Sequence, residues 1–144
     1  MSLNLSNFFL LQVFILFLTI SNAYANSQNI DQFTPKTHVQ ITNLIAPNVS
    51  LTLQCKSKDD DLGKQVLKYN ENYDFYFKVN AWATTLYFCK FEWKSTSHWF
   101  DIYKYDRDFF NCQECLWHIK PDGPCMLGLK SQKYDVCYPW NKDR

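Results

Sequence analysis

The most charged stretch of the sequence reads Cys-Lys-Ser-Lys-Asp-Asp-Asp-Leu-Gly and runs from Cys55 to Gly63. Its carboxylates, Asp59, Asp60 and Asp61, are the groups that a hard cation such as calcium prefers. An EF-hand calcium loop spaces its acidic ligands at alternate positions and closes on a glutamate, whereas the twelfth position counted from Asp59 is Asn70. Contiguous side chains also point in different directions, so they do not converge on one ion. The spacing favours a charged turn, with a recognition surface and a calcium site as alternatives.

Two histidines could perform acid–base chemistry. Metal-free hydrolysis of RNA needs two imidazoles that face one phosphate and a cation that holds the developing charge. His38, His118 and Lys120 supply these groups, and they converge only if their segments are neighbours in the fold. Both histidines fall on predicted outward faces, so a secreted ribonuclease is the least favoured function. No nucleophile elbow or phosphate-binding loop occurs, and the sequence predicts neither a catalytic residue nor a cofactor.

The segment from Cys112 to Cys115 matches the C-x-x-C pattern of redox and zinc sites. No βαβ unit accompanies it, and the next two cysteines are too far apart to form the second close pair of a zinc ribbon. An even number of cysteines in a small exported chain is typical of a disulfide framework. We therefore predict that every cysteine is in a disulfide and that no metal is bound. These cysteines are Cys55, Cys89, Cys112, Cys115, Cys125 and Cys137.

The pairing of these cysteines is not determined by the sequence. Cys125 and Cys137 lie symmetrically about a polar segment, so a bridge between them that closes the last hairpin is geometrically reasonable. Cys112 and Cys115 are too close in sequence to pair easily in an extended chain. We expect a Cys125–Cys137 bridge, with the other four cysteines bridging among themselves.

Apolar and polar residues alternate repeatedly along the chain. In residues 37–43, for example, Val39 and Ile41 share one face and polar residues occupy the other, which is the period of a half-buried strand. Turn-like clusters separate such segments, and the chain is rich in aromatic and β-branched residues. We predict an all-β, antiparallel sandwich or barrel with a short helical turn within residues 105–115. The predicted strands lie near residues 37–43, 49–55, 73–79, 84–93, 98–105, 115–120, 125–129 and 134–138.

The chain begins with an apolar run, from Phe8 to Ile20, that is short for a membrane span. Ala23-Tyr24-Ala25 follows in the A-x-A pattern of a signal-peptide cleavage site. We predict that residues 1–25 are a signal peptide and that residues 26–144 form one secreted, extracellular domain. An uncleaved anchor is the alternative, because no lysine or arginine precedes the apolar run.

The formal net charge of +1 is close to neutral. Binding to nucleic acid or to a membrane surface requires an excess of basic residues, so we expect no nucleic-acid partner and no membrane insertion of the mature domain.

Asn48-Val49-Ser50 is an N-glycosylation sequon directly after Pro47, which places it in an exposed turn. Trp82 and Trp140 fall outside a clean alternation and are candidate anchors for a partner or a sugar.

Six segments occur in an order that resembles one known family: His-Val-Gln-Ile-Thr-Asn-Leu-Ile, Leu-Thr-Leu-Gln-Cys-Lys-Ser-Lys-Asp-Asp-Asp-Leu-Gly, Thr-Thr-Leu-Tyr-Phe-Cys-Lys-Phe-Glu-Trp, Phe-Asp-Ile-Tyr-Lys-Tyr-Asp-Arg-Asp, Cys-Gln-Glu-Cys-Leu-Trp-His-Ile-Lys-Pro-Asp-Gly-Pro-Cys and Tyr-Asp-Val-Cys-Tyr-Pro-Trp-Asn. The chain resembles the plant self-incompatibility protein family, also called the S-protein homologues, over residues 38–141. The acidic element, with Asp59, Asp60, Asp61, Leu62 and Gly63, is the most specific of these motifs.

The resemblance implies a small secreted β-sandwich that is held by disulfides and has no known enzymatic activity. Founding members of the family are pistil-secreted ligands that pollen reads in self-rejection. We therefore expect a non-enzymatic recognition ligand that binds a protein receptor on a cell surface, with the acidic element as a possible recognition loop. The alternative is a secreted effector or defence protein without a dedicated receptor.

Overall fold

The computed structural model describes residues 4–33 and 35–142, and the side chains of residues 25–33 are outside that description. The chain divides into two compact units between Pro35 and Lys36. The first unit contains helix α1, Leu5–Phe33. The predicted cleavage site after Ala25 falls within this helix, at a residue whose side chain lies outside the described part.

Helix α1 is apolar over more residues than the run Phe8 to Ile20 indicated. The 20-residue segment Leu5–Tyr24 is long and apolar enough to cross a membrane, and it is the one such helix among the described residues. The expectation that this region is short for a span is therefore wrong, because helical residues on both sides extend it. A signal sequence has the same length and composition, and the position at the N-terminus fits one.

The described residues of the second unit form nine strands and one short helix. All eight predicted strands are present, and a ninth, β3, was not predicted because its acidic start and its glycine suggested a turn. The elements are β1 (Thr37–Asn43), β2 (Leu51–Lys56), β3 (Asp61–Leu67), β4 (Asn72–Phe77), β5 (Leu86–Trp93), β6 (Thr96–Lys104), α2 (Tyr105–Asp108), β7 (Glu114–Lys120), β8 (Gly123–Met126) and β9 (Val136–Cys137).

The strands form two sheets, as expected for a β-sandwich. One sheet has the order β4-β1-β7-β8-β9 and the other β3-β2-β5-β6. The prediction of purely antiparallel pairing needs one correction, because β1 and β7 are parallel, with His38 beside Glu114 and Asn43 beside Ile119. These two strands are far apart in sequence and no hairpin joins them, so the connection between them does not force them to be antiparallel.

The alternation seen in the sequence produces the core. β1, β2 and β5 alternate strictly between more and less buried positions, and their apolar residues face the space between the sheets. Burial of each large side chain is worth about 1.5–3 kcal/mol, so this shared face is the main source of stability. The largest fully buried apolar side chains are Trp117, Tyr103, Phe91, Ile41, Leu51, Leu53, Ile102, Ile119 and Val39.

A buried asparagine joins the two sheets. Asn43, at the end of β1, is fully buried. Its Nδ2 donates to the backbone oxygens of Val49, at 2.9 Å, and Leu67, at 3.0 Å, while its Oδ1 accepts from the amide of Ile45 at 3.0 Å. Leu67 ends β3 in the other sheet, so one side chain fixes the spacing of strands that share no ladder. A buried amide left unpaired costs about 1–3 kcal/mol, which makes this position intolerant of an apolar replacement.

All six cysteines are paired. Cys55–Cys89 joins β2 to β5, and Cys125–Cys137 joins β8 to β9 as expected. The third bridge is Cys112–Cys115, so the other four cysteines do bridge among themselves, in a pairing that an extended chain would not favour. The segment is not extended: the amide of Cys112 donates to the oxygen of Asp108 at 2.9 Å as the chain leaves α2. This turn brings the two Cα atoms to 5.1 Å, within the normal range for a disulfide.

A buried ion pair lies where the predicted helical turn occurs. Asp108 in α2 is fully buried, and both of its carboxylate oxygens accept from Arg107, each at 2.7 Å. Asp108 also accepts from the amide of Lys104 at 2.8 Å, and Arg107 donates to the oxygen of Asp101 at 2.8 Å. The pair therefore satisfies the backbone at the end of β6 as well as its own charges.

Aromatic rings enclose the guanidinium of Arg107. Its central carbon lies 5.1 Å from the ring centre of Phe100, 5.2 Å from that of Trp117 and 4.9 Å from that of Tyr138. A cation over an aromatic face is attracted to the negative face of the ring, more strongly where water is excluded. Because Phe100 and Trp117 belong to different sheets and Tyr138 to the C-terminal segment, Arg107 holds three parts of the domain together.

We predict that Arg107→Met destabilises the protein by about 3–5 kcal/mol, because the substitution leaves the charge of Asp108 buried and unpaired. Lys104→Met is the matched control, since the 3.1 Å pair of Lys104 with Asp106 is on the surface and is worth at most about 1 kcal/mol. Urea denaturation of both variants checks the difference. Equal losses for the two variants would show that the buried pair has no special role.

Candidate functional site

The acidic stretch folds into the hairpin turn between β2 and β3. The amide of Ser57 donates to the oxygen of Asp60 at 2.8 Å, which closes the turn. The hydroxyl oxygen of Ser57 accepts from the amides of Asp59, at 3.3 Å, and Asp60, at 3.0 Å. Serine is suited to this position because its short side chain satisfies backbone donors within a turn. The prediction of a charged turn therefore agrees with the structure for residues 57–60, and Asp61 already belongs to β3.

Asp61 stabilises the hairpin. Its carboxylate accepts from Gln54 at 2.9 Å, from the ammonium of Lys56 at 2.9 Å and from the amide of Gly63 at 3.0 Å. These partners, Gln54 first, lower the pKa of Asp61 to about 2. The carboxylate is thus already occupied by partners from its own hairpin, and its role is structural.

Gly63 allows a bulge in β3. Between the pairs Gln54–Lys64 and Lys56–Asp61 the register shifts, so that Leu62 and Gly63 together face Cys55. Gly63 has a φ of +74°, in the left-handed region that glycine adopts without strain. A glycine shortly after the acidic run is the residue type that suits such a φ. Leu62 is half-buried and packs against the core, so neither residue projects as a recognition group.

Asp60 connects the turn to the neighbouring strand β5. Its Oδ2 accepts from the hydroxyl of Tyr87 at 3.0 Å. Burial and then the hydrogen bond to Asp60 raise the pKa of Tyr87 to about 12. The neutral phenol therefore stabilises the fold fully below pH 10, and this contribution is lost as the pH rises through about 12. Asp60 is itself exposed, so its carboxylate faces water and also has a partner in Tyr87.

A cleft of about 430 Å³ lies beside this turn. One wall is the turn itself, including Lys58 and Asp59, and the other is the loop between β4 and β5 with the first residues of β5. The lining combines hydroxyl, amide and charged groups of both signs with apolar surface. Its residues are Ser57, Lys58, Asp59, Asp60, Lys78, Asn80, Thr84, Thr85, Leu86, Tyr87 and Phe88.

The loop between β4 and β5 carries an exposed tryptophan on a fixed backbone. The side chain of Asn80 accepts from the amide of Thr84 at 3.0 Å, and the amide of Asn80 donates to the hydroxyl of Thr85 at 2.8 Å. Ala83 has a φ of +57°, which turns the chain back toward β5. Trp82, within this closed loop, is 85% exposed. The suggestion that Trp82 is an exposed anchor agrees with this placement.

The cleft and Trp82 lie at one end of the sandwich. Thr37, at the start of β1, is opposite Phe77, at the end of β4, so the β4–β5 loop leaves the sheet where β1 begins. Because β7 runs parallel to β1, α2 and the segment before β7 are at the same end. This segment includes Phe110, which is 86% exposed. We call this end, with the β2–β3 turn, the β4–β5 loop and the α2–β7 segment, the loop end.

The two candidate catalytic histidines do not converge. His38 is beside Glu114 and His118 is beside Thr42 in the parallel β1–β7 ladder, so four residues, about 13 Å, separate them along the strands. His38 contacts Asp74 at 2.7 Å. His118 stacks on Tyr134, and burial, with a smaller effect of Lys120, lowers its pKa. One phosphate cannot bridge the two imidazoles.

Two other candidates lie away from the cleft. Trp140 is partly buried, stacks on His98 and donates from Nε1 to the oxygen of Pro121 at 3.1 Å, so it is not an exposed anchor. Asn48 is exposed in the turn between β1 and β2, as its sequon predicted.

Within the part of the chain that the structure describes, no three His, Cys, Asp or Glu side chains group as metal ligands.

We predict that Gly63→Val costs about 1–3 kcal/mol, because a β-branched residue is strained at this φ. A Cβ on Gly63 meets nothing within 4 Å, so the cost comes from the backbone alone. Gly63→Asn, which tolerates the left-handed region, is the control and should cost well under about 1 kcal/mol. Asp60→Asn keeps an oxygen acceptor for Tyr87 and should also be mild. The midpoint urea concentrations for unfolding rank the three variants. If Asp60→Asn lowers the free energy of unfolding as much as Gly63→Val does, this account is contradicted.

We also predict that calcium does not stabilise the protein, because Asp60 and Asp61 are occupied by Tyr87, Gln54 and Lys56. A ligand at a hundredfold excess over its Kd adds about 2.7 kcal/mol, which would raise Tm by several degrees. Melting curves in chelator and in millimolar calcium should coincide. A calcium-dependent rise in Tm that Asp59→Asn removes would show instead that the turn binds calcium.

Comparison with known proteins identifies the family. A family model described as plant self-incompatibility protein S1 matches residues 38–140. S-protein homolog 29 of Arabidopsis thaliana is 40% identical over 140 residues, which is 96% of this chain and 98% of the relative. S-protein homolog 20 of the same plant is 47% identical over 106 residues, covering 72% and 76% of the two chains.

A solved structure shares the fold. It is 16% identical in sequence, with a TM-score of 0.55, and covers 77% of this chain and 99% of its own. It is described as a self-incompatibility protein homologue, from a widespread family of small, highly stable, secreted proteins from plants. The two sheets, the three disulfides and the apolar N-terminal helix agree with that description. This chain belongs to the plant self-incompatibility protein family and is a disulfide-bonded β-sandwich.

Proposed function

We propose that the protein is a non-enzymatic recognition ligand that binds a protein receptor on the plant cell surface through its loop end. The observation that carries this proposal is Trp82, a large side chain that is 85% exposed on a loop whose backbone is closed by Asn80. Tryptophan is the residue type most enriched at binding hot spots. A closed loop also keeps the entropy that is lost on binding small, because the side chain is already positioned.

The surroundings of Trp82 suit a specific protein partner. The cleft beside its loop presents Lys58 and Asp59 with hydroxyl and amide groups, which supply directional contacts of both charges. Phe110 offers a second exposed aromatic at the same end. Disulfides and the core hold the strands, so exposed loop side chains such as Trp82 can serve recognition while the scaffold is kept.

A catalytic role is not part of the proposal. The positions of His38 and His118 are four residues, about 13 Å, apart along the β1–β7 ladder. The carboxylates of Asp60 and Asp61 are engaged by partners within the domain. What the loop end offers is a surface for contact.

We predict saturable binding of the labelled secreted protein to plant protoplasts, with competition by unlabelled protein. Trp82→Ala should weaken this binding about 30-fold, the effect of losing a hot-spot side chain. Tyr76→Ala is the matched control, because Tyr76 is also an exposed aromatic, at 62%, but lies on the outer face of a sheet. The affinity of the Tyr76→Ala variant for the protoplasts should not change.

Protease treatment of the protoplasts separates a protein receptor from other targets. Binding should disappear after mild proteolysis of the cell surface. Binding that survives proteolysis, or an equal loss for Trp82→Ala and Tyr76→Ala, would contradict the proposal. Survival would favour the alternative of an effector that acts without a dedicated receptor.

A further inference from the structure

The proposed function does not use the sequon in the turn between β1 and β2. Asn48 and Ser50, its acceptor and its hydroxyl residue, are both exposed. The amide of Val49 donates to the oxygen of Ala46 at 3.1 Å, and Asn48 has a φ of +61°, so Asn48 lies in a tight turn at the surface. A sequon on a surface turn of a secreted protein is the substrate for N-glycosylation.

We propose that Asn48 carries an N-linked oligosaccharide and that this glycan leaves the loop end as the accessible end of the protein. In the modification, Nδ2 of Asn48 attacks the anomeric carbon of an oligosaccharide carried on a polyprenyl diphosphate. A C–N bond forms, the C–O bond to the diphosphate breaks, and Nδ2 gives up one proton. The lipid diphosphate leaves with the bonding electron pair, so no oxidant or reductant is needed.

The position of Asn48 follows from the strand directions. Asn43 ends β1, and the turn with Asn48 comes after it, whereas the β4–β5 loop comes after Phe77, which is opposite Thr37 at the start of β1. The length of a seven-residue strand, about 20 Å, therefore lies between the glycan and the cleft. The second half of the proposal rests on the proposed function, because it assigns the partner to the uncovered end.

Mass spectrometry of the secreted protein tests the modification. We expect one glycan, which a peptide-N-glycosidase removes while converting Asn48 to aspartate. Asn48→Gln and Ser50→Ala should each abolish it. Asn4-Leu5-Ser6 is a second sequon, in the predicted signal peptide, so cleavage after Ala25 predicts an N-terminus at Asn26 and no glycan at Asn4. An unmodified Asn48 in the secreted protein would overturn the proposal.

Moving the glycan tests the accessible end. Lys58→Asn combined with Asp60→Thr creates a sequon in the β2–β3 turn, and Lys58→Gln with Asp60→Thr is the control without an acceptor. Protoplast binding should be unchanged by Asn48→Gln and should fall at least about tenfold for the glycosylated turn variant relative to its control. Equal binding of those two, or a gain from Asn48→Gln, would overturn the assignment of the accessible end. A glycan at Asn48 without any saturable binding would instead count against the proposed function alone.

Discussion

The ion pair between Arg107 and Asp108 is the interaction on which the arrangement of this domain depends. Removing two charges from water is costly, and the cost is recovered only when every charged atom has a partner. Here the carboxylate accepts from the guanidinium and from the amide of Lys104, and the guanidinium also donates to the oxygen of Asp101. The four-residue helix α2 gives both side chains this geometry at the end of β6.

The aromatic surroundings extend the effect of that pair. Phe100 comes from one sheet, Trp117 from the other, and Tyr138 from the segment that follows the last strand. A planar cation between these rings sets the distance between the sheets near the loop end, as Asn43 sets it near the opposite end. The sandwich is thus fixed at two polar points, and apolar packing fills the space between them.

Period-two alternation was enough to predict most of the fold, because burial on one face is a property of each strand alone. The pairing of β1 with β7 was not predictable in this way, since alternation contains no information about strand direction. β3 was missed because Asp61 and Gly63 are typical turn residues, although in the structure they form a bulge within a strand. The Cys112–Cys115 bridge is not predictable from spacing alone, because such a close pair can form only where the chain turns, as it does on leaving α2.

The candidate site was only partly visible in the sequence. The acidic run predicts a turn, but its three carboxylates have different roles that depend on residues elsewhere in the chain: Asp60 contacts Tyr87, and Asp61 contacts Gln54 and Lys56. Trp82 is visible in the sequence as a candidate because it falls outside the alternation of apolar and polar residues. The bonds from Asn80 that fix its loop could have been suspected from the Asn-x-x-x-Thr-Thr spacing, since asparagine and threonine often bond to nearby backbone.

The parallel pairing of β1 with β7 also sets the order in which the domain can form. β2, β3, β5 and β6 pair through two hairpins and one connection that passes through β4 of the other sheet, so their contacts are closer in sequence than the β1–β7 pair and this sheet can form early. The other sheet has β1 beside β7, and loops that long close slowly. Until β7 arrives, β1 has only β4 beside it and an open edge on its other side. Nearly the whole domain must therefore be present before this edge is covered, and an uncovered strand edge is a site at which other chains can pair.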